Sequence, residues 1–572
     1  MHDWTLDYIT LGAYLIAVTV IGTLAARKVT STSTFFMGER KFGKWMMTLF
    51  TFGTGTSTDQ AVTTVAKTYT VGASGIWYQW LWIFATPVYW LLAPLFRRMR
   101  AVTTADYLHA RYNQSVAVLF AIVGVLSLSV QIGVMLKACG AMVTSVTAGA
   151  VSEGLAIYGM TVLFVIYGVA GGLTAAVITD FIQGILTVVL SFLILPFALQ
   201  AVGGLGELRI LIDDPSFFDL ISDASGTERL GLFYVIVIFV NGLIGWVTTP
   251  HSMQMCGAGR TDQEARVGLV GGMLLKRFCT IAWVLTALCG VGLYMNTTMH
   301  EDLVWGTMAR DLLPTIAPGL VGLFIASVLA AVMSSCDAFM VSSAALFTEN
   351  IYRPLIRPNR SEKHYVLVGR LTALAVVAGG IGLAFELPSV VDGLELVWIV
   401  QAMMGVSMWF SFFWRRATAA AAWASTLAGF ATWFLTSTIE VAGVVIWDFN
   451  GRFAHLLPAN MTVEGALSLP WQMLIYLSVA AVVMVVVSLL TRPPAEDKLD
   501  SIYATLRTPV ASDEPEVPPL TLPEGVQPAP RDPLIDLPGL EIMKPSRSGV
   551  AGFLACSALV ASLIWFFAWI LG

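Results

Sequence analysis

Apolar residues in this chain come in long blocks rather than in the period-two alternation of a half-buried strand. Blocks of about 20 residues, enough for an α-helix to cross a hydrocarbon layer, recur about fourteen times. They lie at roughly 5–26, 45–71, 75–96, 117–147, 153–171, 178–202, 231–256, 266–295, 318–348, 366–386, 390–413, 417–437, 470–491 and 549–571. The pattern predicts an all-α polytopic membrane protein. Most polar breaks are short. Two, "LRILIDDPSFFDLISDASGTERL" and "WDFNGRFAHLLPANMTVEG", are long enough for short lids. A third, about 492–547 ("TRPPAEDKLD…KPSRSG"), is rich in proline and acid and reads as a tethered linker with a short amphipathic piece. No short tandem repeat is present, which excludes a solenoid. Acidic residues precede the first block and Arg27 and Lys28 follow it. A signal peptide has the reverse polarity, so a retained helix is expected.

Composition agrees with a membrane setting. Of 572 residues, 57% are hydrophobic and 12% charged, with a mean hydropathy of +0.76. A soluble fold of this size could not bury that much apolar surface. The net charge of -5 gives no reason to expect a nucleic-acid partner, and no obligate protein partner is evident. Cys139, Cys256, Cys279, Cys289, Cys336 and Cys556 fall in or beside apolar blocks, without disulfide or metal-ligand spacing. Charge also orients the chain. With the N-terminus outside, "ERKFGK", "FRRMR", "IYRPLIRPNRSEK" and "FWRR" share the cytoplasmic face. Only Arg209, Arg229, Arg310 and Arg452 then lie outside. The positive-inside rule selects this arrangement, and fourteen crossings return the C-terminus to the outside of the plasma or inner membrane.

Polar residues inside the blocks carry the functional signal, because an intramembrane charge is a functional-site candidate by default. Span 2, "TFGTGTSTDQAVTTVAKTYTVG" (51–72), combines glycine and threonine with Asp59, Gln60 and, near its outer end, Lys67. Further along stand Gln79, Gln131, Lys137, Asp180, Lys276, Arg277 and Asp337. Span 7, "FVNGLIGWVTTPHSMQ" (239–254), repeats the helix-weakening pattern around Asn241, Gly242, Gly245 and Pro250. Spans 2 and 7 are five crossings apart and so run in opposite directions. Two interrupted helices so placed point to an inverted-repeat transporter, with the backbone around Gly53–Thr56 unwound and its carbonyls free to hold a cation. Taken alone, "GTGTST" is also a good small-residue packing face. Span 9 adds a partner: Ala331, Ser334 and Ser335 share one helical face. Hydroxyls and carbonyls form a neutral set of hard oxygens, suited to a monovalent cation rather than a divalent one. They hold no transferable proton, which favours sodium. Asp180 and Asp337 are candidates for a proton or a second cation.

"GGLTAAVITDFIQG" (171–184) and "AAVMSSCDAFMVSSAALFTENIYRP" (330–354) resemble hallmark segments of the sodium:solute symporter family. The resemblance covers spans 1 to about 12. It implies the LeuT-like five-plus-five inverted repeat with additional outer helices. The corresponding divisions are a first outer helix (1–30), the first repeat (31–202), the second repeat (203–413), outer helices (414–491), the cytoplasmic linker (492–547) and a last helix (548–572). The resemblance also implies sodium held by the carbonyls of Gly53, Thr56 and Ala331 and the hydroxyls of Ser334 and Ser335. Asp180 matches a second-sodium position of some members, with Asp337 and Ala338 near its partner. The layout is closest to the sugar-transporting branch, whose solute residues map onto Gln60, Lys276 and the pair Gln79–Trp80. Its span 7 asparagine falls on Gly242, beside Asn241, and its aromatic inner gate on Gly245, beside Trp246.

The expected activity is therefore sodium-coupled symport of a small polar organic solute, a sugar first and a small carboxylate, sugar acid or amino acid second. Sodium and the solute are the expected ligands and the bilayer the setting. A channel would show a repeated filter sequence, and none is present. An enzyme would need a nucleophile–base pair or metal cluster, whereas the histidines fall in loops or at helix ends. A solute sensor that keeps the transporter fold is the alternative outside transport.

Overall fold

The structure is a computed structural model that describes residues 4–26, 36–37, 40, 42–221, 231–295, 297–441, 444–463 and 465–572. Arg229 lies outside the described residues. The main helices are α1 (Thr5–Ala26), α2 (Lys44–Gly55), α3 (Thr58–Val71), α4 (Thr86–Arg98), α5 (Gln114–Val146), α6 (Glu153–Leu193) and α7 (Leu232–Trp246). They continue with α8 (Asp262–Tyr294), α9 (Leu320–Phe347), α10 (Glu362–Glu386), α11 (Val390–Phe413), α12 (Ala419–Leu435), α13 (Leu469–Leu490) and α14 (Arg547–Leu571). Among the described residues, nine helices are long and apolar enough to cross a membrane, with three shorter apolar helices beside them. Spans 2 and 3 are divided: α2 and α3 share one, and Trp77–Trp80 with α4 the other. Helical backbone runs through all 41 residues of Glu153–Leu193, where a boundary between spans 5 and 6 was expected.

Both anticipated interruptions are present. Thr56 (φ -134°, ψ 101°) and Ser57 (φ -122°, ψ 168°) are extended, which ends α2 and lets α3 begin at Thr58. The break therefore falls at Thr56–Ser57, and Gly53 stays in the last turn of α2. In span 7, Pro250 cannot offer an N–H to the carbonyl of Trp246, so the helix stops there and resumes at Ser252–Gly257. The last carbonyls accept from backbone N–H groups of a tightened turn and from hydroxyls as well: Thr249 N and Oγ1 donate to Trp246 O (3.1 and 2.6 Å), and Thr248 N and Oγ1 to Gly245 O (3.0 and 2.7 Å). Unwound backbone deep in an apolar layer persists only where such partners exist.

The helices pack in two groups. α2, α3 and α4 pack on α8, and Ser252–Gly257 joins α4 and α8. α5, α6, α9 and α10 pack together, with α1 against α6 and α9. Each group draws helices from both halves of the chain, as intertwined repeats require. α2 lies close on α8, where a Cβ on Gly272 would lie 2.8 Å from Phe52 N and 2.9 Å from Thr48 O. The outer helices α12 and α13 pair with one another and with α11.

The segment after α13 differs from a loose tether. The expected amphipathic piece is Glu496–Arg507, with Leu499, Ile502, Tyr503 and Leu506 buried. This helix and the irregular remainder are pinned to the helix ends: Arg100 pairs with Glu514 (2.5 Å), and Arg415 with Glu496, Asp500 and Glu541 (2.6–2.7 Å). Charge complementarity between basic helix ends and an acidic segment explains why proline-rich sequence is held in place.

Candidate ion and solute site

The break after α2 meets α9 side by side. Ser334 Oγ donates to Gly53 O (3.0 Å) and to Ala331 O (3.1 Å). Ser335 Oγ donates to Gly53 O (3.2 Å) and Thr54 O (3.0 Å). The backbone N–H of Thr56 reaches Gly53 O at 3.4 Å, and the Thr56 hydroxyl is buried without a partner. Thr58 Oγ1 ties the start of α3 to Val328 O on α9 (3.1 Å). Oxygens spaced by about 3.0–3.5 Å are the edges of a shell that holds a hard cation at about 2.3–2.6 Å. The donor set is neutral, and no cluster of three His, Cys, Asp or Glu side chains suited to a metal ion occurs among the described residues. Sodium fits these residues. The structure thus brings Gly53, Ala331, Ser334 and Ser335 together, with Thr56 linked to Gly53 O through its N–H, and adds Thr54 O, which sequence reasoning passed over.

The two acids sit beside this junction. Thr54 Oγ1 donates to Asp180 Oδ2 (3.3 Å), and a Cβ on Gly53 would touch Asp180 at 3.4 Å. Asp337 on α9 faces Gly168 of α6, whose added Cβ would lie 2.4 Å from Asp337 Oδ1. Both aspartates are fully buried.

Next to the break lies a cavity of about 70 Å³, room for a few waters in this conformation. Gln60, Trp246 and Lys276 line it. Lys276 Nζ donates to Gly55 O (2.7 Å) at the C-terminal end of α2. Trp246 packs on Tyr89 with ring centroids 4.3 Å apart. Two expected residues are corrected. Asn241 is outside the lining, because Tyr476 Oη donates to its Oδ1 (2.5 Å) and its own Nδ2 donates to Trp398 O (3.3 Å). Gln79 is also outside the lining, with its side-chain amide buried and its backbone O accepting from Arg277 Nη1 (2.5 Å). An amide-lined wall exists nonetheless, supplied by Gln131 and Gln401 beside Gln60.

Other lining residues were missed. Tyr89, Trp82 and Trp398 carried no local signal, since aromatics abound in every span. His251, at a helix end as expected, is one at mid-span: it is buried, lines the cavity and stacks on Phe339 at 4.5 Å. Its position directly after Pro250 in an apolar block was the available clue.

The family model described as Sodium:solute symporter family matches residues 35–429, more than half of the chain. Similar proteins include the osmoregulated proline transporter OpuE of Bacillus subtilis, 26% identical over 456 residues, covering 76% of this chain and 90% of that protein. The sodium/glucose cotransporter of Vibrio parahaemolyticus is 24% identical over 454 residues, covering 72% and 81%. The sodium/sialic acid symporter NanT of Aliivibrio fischeri is 26% identical over 464 residues, covering 76% and 88%. Among solved structures, the substrate-bound outward-open state of a Na+-coupled sialic acid symporter superposes with a TM-score of 0.72 at 19% identity. It covers 86% of this chain and 99% of its own. The fold is LeuT-like, and the relatives are transporters rather than enzymes. With its matched spans, its two interrupted helices and its oxygen-lined junction, this chain belongs to the sodium:solute symporter family.

Proposed function

We propose that the chain couples entry of a small polar organic solute to sodium by alternating access. The observation that carries this reading is the contact of Gly53 O with the Ser334 and Ser335 hydroxyls, one turn from the cavity. Sodium is held by the oxygens of Gly53, Thr56, Ala331, Ser334 and Ser335. It substitutes for the hydroxyl protons that now bridge α9 to α2 and fixes the end of α2 against α9. Gly55 and Asp59 follow directly in the chain and line the cavity, so ordering the break orders the solute site. Coupling is reciprocal: solute raises sodium affinity by the factor by which sodium raises solute affinity. Asp180 and Asp337 form a second cation or proton position beside Thr54.

Gln60, Gln131 and Gln401 offer donors and acceptors for a sugar, with Trp246 as an apolar wall. A small carboxylate, sugar acid or amino acid is the second reading, favoured by Lys276 in the wall. The relatives are named for proline, glucose and sialic acid, so membership alone selects no solute. The distribution of basic loops supports both termini outside. The test is uptake into proteoliposomes under an inward sodium gradient, with potassium as control. Accumulation that collapses without the gradient supports symport. Sodium-dependent binding without accumulation identifies a sensor.

A further inference from the structure

The cavity wall carries more positive charge and more donors than the chain satisfies. Lys276 and Arg277 are consecutive on α8, both line the cavity, and they are only 4% and 1% exposed. Among the described residues no carboxylate comes within 4.0 Å of either side chain's nitrogens. Lys276 is compensated by Gly55 O, where the C-terminal end of α2 concentrates partial negative charge, and by the Asp59 carboxylate, which lines the same cavity and accepts from Ser57 Oγ, so one positive charge is left over. Arg277 is not. Of its five donors one reaches Gln79 O, Nε is buried without an acceptor, and its remaining support is the Trp82 ring at 5.8 Å. A guanidinium stays protonated, so burial cannot be relieved by losing the proton. Two further donors on the same wall, Tyr89 Oη and Trp398 Nε1, are also buried and unpartnered. Facing them stand one orphan acceptor, Gln60 Oε1, and one nitrogen that can play either role, His251 Nδ1.

A ligand that matches this wall accepts hydrogen bonds, donates few and brings negative charge. We propose that the solute is a small organic anion whose carboxylate docks on Arg277, assisted by Tyr89 and the field of Lys276. A carboxylate has only acceptors and meets a guanidinium through two parallel bonds. A neutral polyol brings as many donors as acceptors and leaves the Arg277 charge where it was. The proposal rests on the sodium-coupled reading above and, within it, selects the carboxylate over the neutral sugar.

The test uses the full-length chain in lipid nanodiscs, with cavity tryptophan fluorescence as the binding signal, in sodium and in potassium. Matched pairs differ in the carboxylate: D-glucuronate and D-glucose, and L-lactate and propane-1,2-diol. In at least one pair the carboxylate is expected to half-saturate at a concentration at least tenfold below its neutral partner. Arg277→Gln is expected to abolish that preference and Arg277→Lys to restore part of it, while half-saturating sodium without solute moves less than twofold. The proposal is overturned if no carboxylate outperforms its partner on the unsubstituted chain, a comparison independent of how the variants fold. It is equally overturned if Arg277→Gln, folded, keeps the preference. A carboxylate preference identical in sodium and potassium leaves Arg277 assigned and removes the coupling instead.

Discussion

Ser334 and Ser335 each bridge two helices with one hydroxyl, and each is completely buried. Replacing either by alanine removes one neutral oxygen from a shell of about five, so half-saturating sodium for uptake should rise at least tenfold, with the double variant worse. Ser343 supplies the control: its hydroxyl only bonds back to Met340 O (2.9 Å), and Ser343→Ala should leave the sodium dependence unchanged. Asn241 calls for a different measurement. Asn241→Ala strands the Tyr476 hydroxyl in a buried site, which should cost about 1–3 kcal/mol of stability. Solute affinity should be retained, and a loss of affinity without a fall in Tm would return Asn241 to the solute wall. The contrast shows what was legible residue by residue. The pair 334–335 announced itself because helical spacing is local, and the same face carries Ala331. Asn241 misled because its partner is 235 residues away, and only packing reveals that its amide is already occupied.

At the scale of elements, the junction depends on how closely α2 lies on α8. Gly268, Gly271 and Gly272 form the α8 face that receives Met47, Thr48, Thr51 and Phe52. Gly272→Ala places a methyl 2.8 Å from Phe52 N and 2.9 Å from Thr48 O, atoms of backbone that cannot step aside singly. The strain should lower stability by about 1–3 kcal/mol. Because α2 also carries Gly53, apparent sodium affinity should fall with it. Gly12 on α1 has nothing within 4 Å of an added Cβ, and Gly12→Ala should change neither property. Equal effects of the two substitutions on sodium affinity would disconnect this packing from the ion site. The interruptions themselves were readable as elements, since clustered glycine, threonine and proline weaken a helix whatever surrounds it. Their exact placement was not. The break moved from Gly53–Thr56 to Thr56–Ser57 because contacts from α9 to the carbonyls of Gly53 and Thr54 hold the last turn of α2 helical.

On the scale of the whole molecule, alternating access requires the two helix groups to move against each other, and the 492–547 segment is attached where that motion would begin. At one end Arg100, beyond α4, is 1% exposed at its side chain and pairs with Glu514 through two bonds (2.5 and 2.8 Å). Leu520 N donates to Met99 O (2.8 Å) nearby. At the other end Tyr503 Oη donates to Ser411 O (2.9 Å), and Arg415 beyond α11 binds three acidic groups of the same region. The segment therefore straps the end of span 3 to the end of span 11. Composition gave its proline and acid content, but not this role, because the basic residues it binds are scattered over distant loops. Breaking a buried ion pair on one side costs about 3–5 kcal/mol, so Glu514→Gln should loosen the strap at this point. Met255 lines the cavity on the broken part of span 7 and can report the consequence as a cysteine, with the six native cysteines all buried. Thiol labelling of Met255→Cys from the face that carries the 492–547 segment should be several-fold faster in the Glu514→Gln background. It should be unchanged by Glu524→Gln, which alters an exposed acid in the same segment. Identical labelling in all three would mean that the strap rides on the helices without restraining them, and that the inner opening is set by α2, α7 and α9 alone.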